Sequence, residues 1–153
     1  MNTDTKTKKT RAEWNAEQHA RFVLELYRAY RILNADQNAP TVEVGGCMFS
    51  HPDEIRDRVT QQALSVEVRS DWHTPGDNEN ASPNEYRVLL TWGGPALMLC
   101  GDLDEHGSPE GNARFEIQDW GTPWTVYRPD VCFEDYYEKA VAWFANCFYF
   151  GEC

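Results

Sequence analysis

The sequence predicts an α+β fold: a four-stranded antiparallel meander with an N-terminal and a C-terminal helix packed on one face. Three observations predict it. Apolar residues recur at helical spacing near both ends of the chain, at Phe22, Leu26, Tyr30 and Leu33 and again at Phe133, Tyr137, Ala140, Val141, Phe144 and Phe148. Between them the pattern changes to a period of two, as in Leu64, Val66 and Val68 against Ser65, Glu67 and Arg69. The breaks between these alternating segments are short and rich in Gly, Pro, Asp and Asn, which favours sequential antiparallel neighbours.

Residues 1–10 (MNTDTKTKKT) read as a disordered basic arm, and residues 11–153 as a single α+β domain. The arm has no apolar run behind it, so it does not read as a secretory signal. The first helix covers 11–34, with Val23 and Tyr27 beside its apolar stripe and Arg21, Arg28 and Arg31 off it. Around Gly45-Gly46 the segment 41–49 reads as a loop or an edge strand. Ser50 or Asp53 is placed to cap a second helix, 52–63, with Pro52 in its first turn.

Four strands follow. The first contains Leu64 to Arg69, the second runs from Tyr86 to Trp92, the third from Ala96 to Leu103, and the fourth centres on Phe115 and Ile117. A polar loop fills 74–84, Gly93-Gly94-Pro95 turns the chain once, and 104–109 turns it again. The last helix spans about 133–148, with Glu134 and Asp135 at its positive end.

Composition bounds the function. The 153 residues carry 13% aromatics, enough large apolar area for a self-sufficient core. No apolar run is long enough to span a bilayer, so no membrane partner is expected. Cys47, Cys100, Cys132, Cys147 and Cys153 are odd in number and form no Cys-x-x-Cys pair, which points to free thiols in a reducing, cytoplasmic compartment. Residues 1–34 hold seven Lys/Arg against four Asp/Glu, net +3, whereas residues 35–153 hold seven against 21, net -14. Such a body repels nucleic acid and anionic membranes and attracts basic partners, so direct nucleic-acid binding is not expected.

Catalytic signatures are weak. His19, His51, His73 and His106 fall into no metal-binding spacing. The run from Asp102 to Gly107 imitates the first half of a calcium loop, but the twelfth position is Ala113 where a bidentate Glu is required. Gly93-Gly94-Pro95 lacks the Lys-Ser/Thr ending of a phosphate loop and leads into a strand. There is no nucleophile elbow. No catalytic residue, metal or cofactor is therefore assigned.

One internal echo remains: Asp71-Trp72-His73-Thr74-Pro75 recurs as Asp119-Trp120-Gly121-Thr122-Pro123, each after an alternating strand. Asp accepts backbone hydrogen bonds in such turns, Trp covers a sheet end and Pro fixes φ.

Three stretches in order carry a resemblance: ALSVEVRS (63–70), LLTWGGPA (89–96) and QDWGTPWT (118–125), with the ending FYFGE (148–152). Together they resemble a set of small acidic proteins of phages, plasmids and other mobile elements. The resemblance implies a bacterial host and an anti-defence role, of the anti-CRISPR or antirestriction type, exercised without catalysis. Its partner would be a host defence complex whose basic nucleic-acid-binding surface is occupied by an acidic face.

The densest anionic region is 102–152, with 11 acidic residues against Arg114, Arg128 and Lys139. Its partner-binding candidates are Asp102, Asp104, Glu105, Asp119, Glu134, Asp135 and Glu138. Trp120 and Trp124 are the candidate aromatic anchors. A second reading is a small nucleotide- or nucleic-acid-processing enzyme, with the two Asp-Trp-x-Thr-Pro turns bracketing a cleft and using Asp71, His73, Asp119 and a bound metal. A third is a homodimer through the aromatic C-terminal helix.

Overall fold

The computed structural model describes residues 9–36, 38, 40–77, 82–129 and 134–151. The predicted basic arm lies outside the described residues except for Lys9 and Thr10. Helix α1, Arg11–Ala35, starts at Thr10, whose hydroxyl accepts the Glu13 N–H at 3.1 Å. Lys9 and Arg21 both reach Glu17, and the Lys9 ammonium is the main reason its carboxyl sits below the usual range. Ala12, Ala16 and Ala20 form a buried stripe of small residues that lets the first half of α1 lie close to its neighbours. Val23, Leu26, Ala29 and Leu33 extend that stripe.

The segment read as a loop or an edge strand is a hairpin of its own: β1, Val42–Val44, pairs antiparallel with β2, Cys47–Phe49. Gly45 and Gly46 make the two-residue connection with φ of 58° and 83°. Positive φ at both positions matches the right-handed twist of the strands, and glycine takes it without a Cβ penalty. Helix α2 is shorter than expected, Pro52–Thr60, and neither Ser50 nor Asp53 caps it. His51 does, through Nδ1, which accepts the Asp53 N–H at 3.2 Å.

The main sheet has five antiparallel strands, not four, in the order β3-β4-β5-β6-β7. They are β3, Ser65–Arg69; β4, Glu85–Thr91; β5, Ala96–Asp102; β6, Arg114–Gln118; and β7, Thr125–Val126. The fifth, β7, pairs Glu116 with Val126 and Ile117 with Thr125. Two residues following a Pro-containing turn give no period, which is why the sequence hides it.

Helix α3, Glu134–Asn146, packs beside α1 and meets the sheet where Phe144 faces Phe115, their ring centroids 6.0 Å apart. The core joins Val23 and Leu26 of α1 to Val88, Leu97, Leu99 and Phe115 of the sheet and to Val141 and Phe144 of α3. The N- and C-terminal helices thus cover one face of the sheet, as expected. Among the described residues no helix is long and apolar enough to cross a membrane.

Candidate functional site

Antiparallel pairing assigns every sheet residue to a face. Tyr86, Val88, Leu97, Leu99, Phe115 and Ile117 point into the helix layer and are buried. The opposite face is open and carries Glu67 and Arg69 of β3, Glu85 and Arg87 of β4, Met98, Cys100 and Asp102 of β5, and Arg114 and Glu116 of β6. These residues line a shallow cradle of about 760 Å³.

The charges of this face neutralise one another in register. Arg69 pairs with Glu85, its cross-strand partner, and Arg87 with Glu67, likewise opposite it, at 3.0 Å. Arg114 Nε lies 3.7 Å from Glu116. Cys100 sits among them, its thiol donating to the Glu116 carboxylate. Burial and that carboxylate push its pKa up to about 12, so it stays a protonated, poorly nucleophilic thiol. The open face is therefore an ion-paired lattice of mixed sign, not an anionic surface.

An excess of negative charge gathers at one end of the sheet. There β3 and β5 finish and β4 and β6 begin, with Arg69 opposite Glu85 and Glu85 opposite Asp102. Glu85, Asp102, Asp104, Glu105 and Glu110 gather at this end, and Asp71 follows two residues after β3. Arg69 and Arg114 are the strand arginines nearby, and both face carboxylates already.

The β5–β6 connection is firmly built. Asp104 accepts the N–H groups of His106 and Ser108 at 2.8 and 3.0 Å, bonds that hold its carboxyl below the usual range. Asn112 donates to Asp102 at 2.7 Å while its own amide oxygen accepts the Asp102 N–H. Trp72, fully exposed at 103% relative accessibility, follows β3 at this same end of the sheet.

The predicted candidates are thus divided. Asp102, Asp104 and Glu105 are brought together. Asp119 and Trp120 follow β6 at the other end, where Ala96 pairs with Gln118. The length of β5, Ala96–Asp102, separates the two groups by about 20 Å. Trp120 is 86% exposed and lies against Gly94, and Trp124 is half-buried. Glu138 is exposed on α3, away from the β5–β6 turn in sequence and on another element. The side chains of Glu134 and Asp135 lie outside the described residues.

The two Asp-Trp-x-Thr-Pro turns also sit at opposite ends, because β3 and β6 run in opposite directions. They do not bracket a common cleft. Among the described residues, no group of three His, Cys, Asp or Glu side chains is placed to hold a metal ion. Sequence reasoning missed Trp72, an exposed aromatic at the same sheet end as Asp102 and Asp104. Its signal was present in Asp71-Trp72, but the strand direction that places it there is set only by the completed sheet.

No family model matches the chain, and comparisons with curated proteins and with solved structures find no match either.

Proposed function

We propose that the protein is a non-enzymatic inhibitor of a bacterial defence system, of the anti-CRISPR type and encoded by a mobile element, which occupies a basic nucleic-acid-binding surface of the effector complex. The observation that supports this reading is the acidic sheet end, where Asp102, Glu105 and Glu110 lie at the same end of the sheet as Asp71 and the exposed Trp72, which follow β3. Carboxylates on a rigid turn present charge at fixed spacing to Arg and Lys side chains, which form their strongest hydrogen bonds with such groups. The excess charge also raises the rate of encounter with a basic partner. The fully exposed indole offers the apolar anchor that charge alone lacks.

The test measures DNA binding by purified restriction and CRISPR effector complexes with and without the protein, at low and high salt. The expected result is loss of DNA binding by one effector, relieved by salt. Reversal of Asp71, Glu105 and Glu110 to Lys abolishes the effect while the fold is kept. A panel of effectors whose DNA binding is untouched at low salt removes this reading.

A further inference from the structure

The half-buried alternation of β3 is not fulfilled within the chain. Val66 pairs with Val88 and Val68 with Tyr86, so both point to the helix side of the sheet. Their partners are buried at 0% and 3%, yet Val66 and Val68 remain 41% and 43% exposed. Leu64, two residues earlier in the same alternation, is 63% exposed. The helix layer stops short of β3. Among the described residues, β3 pairs with β4 alone, so its outer edge carries unpaired backbone groups beside an apolar row.

The polar row of the same strand says what fits there. Glu67 and Arg69 lie two positions apart on the open face, with opposite charge. An antiparallel second copy centred on Val68 sets Glu67 of one copy against Arg69 of the other, twice, by symmetry. Each pair then continues an existing one: Glu85 and Arg69 of one copy are followed by Glu67 and Arg87 of the second. The four charges alternate in sign across the junction. Centring on Glu67 would instead oppose two Glu67 carboxylates, which is unfavourable. Centring on Val66 leaves Glu67 and Arg69 opposite uncharged residues.

We infer that β3 is the interface of a two-fold homodimer, pairing edge to edge with a second copy in the register Val68 to Val68. The two sheets become one continuous sheet of ten strands, five from each copy, with both helix layers on the same side. The exposed valines of the two copies meet between those layers. A two-fold contact must be self-complementary, and SVEVR (65–69) satisfies that condition in this register. Neither this interface nor its test involves Asp71, Asp102, Glu105 or Glu110.

Sedimentation of the full chain over a concentration series at low salt provides the test, with circular dichroism confirming the fold of each variant. The wild type shows a monomer–dimer equilibrium. Glu67→Lys or Arg69→Glu alone raises the dimer dissociation constant about tenfold or more, since two attractive cross-strand pairs become repulsive. The double variant recovers part of the association, because the swapped charges again face their opposites across the junction, although each now meets a like charge on β4 of its own copy. A second measurement needs no charge change. With Cys47, Cys132 and Cys153 replaced by Ser, Val68→Cys forms an intermolecular disulfide under mild oxidation, whereas Glu67→Cys does not. A wild type that stays monomeric throughout overturns the inference. So do single charge variants that leave the dissociation constant unchanged, or a Val68→Cys chain that does not cross-link.

Discussion

Tyr86 lies directly over Gly101, its cross-strand partner between β4 and β5. A Cβ built on Gly101 would come 2.6 Å from the Tyr86 hydroxyl and 2.9 Å from the ring carbon that bears it. The tyrosine ring occupies the space a side chain would take, and Phe150 closes the other side at 4.4 Å between centroids. The glycine is thus needed for room, not for a special backbone angle. Gly101→Ala is expected to cost about 1–3 kcal/mol, the range for overpacking a closed core. The midpoint of urea unfolding checks this, and an unchanged midpoint would show that the ring can move aside.

The same tyrosine carries a second prediction. Its hydroxyl is buried and, among the described residues, has no hydrogen-bond partner. Burial pushes its pKa upward, with the neighbouring Cys100 adding to the effect. Removing an unsatisfied buried polar atom removes a desolvation cost and little else. Tyr86→Phe should therefore match or exceed the wild type in thermal midpoint. A clear loss would reveal a partner for the hydroxyl, such as a bound water.

Much of this architecture was legible beforehand. The stripes of α1 and α3 and the alternation of β4, β5 and β6 placed Leu26, Phe144, Val88 and Phe115 in one core, because burial on a repeating face leaves a periodic trace. What escaped detection lacked a period. β7 is two residues long, the hairpin at Gly45-Gly46 joins strands of three, and α2 stops early at Thr60. The opposite failure occurred at β3, where the alternation was genuine but Val66 and Val68 stayed exposed. Periodicity reports which residues share a face, not whether another layer reaches that face.

The candidate site shows the same limit. Asp102, Asp104 and Glu105 are adjacent in sequence and stay together, whereas Asp119 and Trp120 belong to a strand end on the far side of the sheet. Only strand direction separates them, and that depends on the whole meander.

The thiols should be sharply unequal. Cys47 is exposed on β2, whereas Cys100 is 6% exposed and held as a thiol with its pKa raised to about 12. Iodoacetamide at pH 8 followed by peptide mapping should find Cys47 modified early and Cys100 only after unfolding. The linkage has a definite sign. An unfolded chain ionises this thiol near its ordinary value of 9, so the folded state is favoured below that pH. That contribution is lost as the pH rises from about 9 toward 12. Cys100→Ser should flatten this part of the stability profile, and a profile identical to the wild type would refute the assignment.

The start of α1 rests on one side chain. Thr10 supplies the oxygen that accepts the Glu13 N–H, while the Trp14 N–H reaches the Thr10 carbonyl at 3.0 Å. Thr10→Ala keeps the second bond and loses the first, with an expected cost of about 1 kcal/mol. Thr10→Ser or Thr10→Asp should recover most of it, since either oxygen can cap. Equal thermal midpoints for Thr10→Ala and Thr10→Ser would show that the cap contributes nothing.

Asp104 separates structure from recognition at the acidic end. Its neighbours Glu105 and Glu110 are exposed, whereas its own carboxylate is engaged by the N–H groups of Ser108 and His106. Those bonds stabilise the charged form and lower its pKa, with Ser108 the larger influence. A carboxylate with a depressed folded-state pKa adds stability above its ordinary value of 3.8, and that stability is lost as the pH falls through the lower folded value. Asp104→Ala should therefore loosen the turn and speed amide exchange at Ser108 and His106, and Asp104→Asn should repair part of that order because its amide oxygen still accepts. Glu105→Lys and Glu110→Lys should leave exchange in the turn unchanged and act only on association with a basic partner. Slow exchange retained in Asp104→Ala would mean that the backbone holds the turn by itself, returning Asp104 to the carboxylates free to meet a partner.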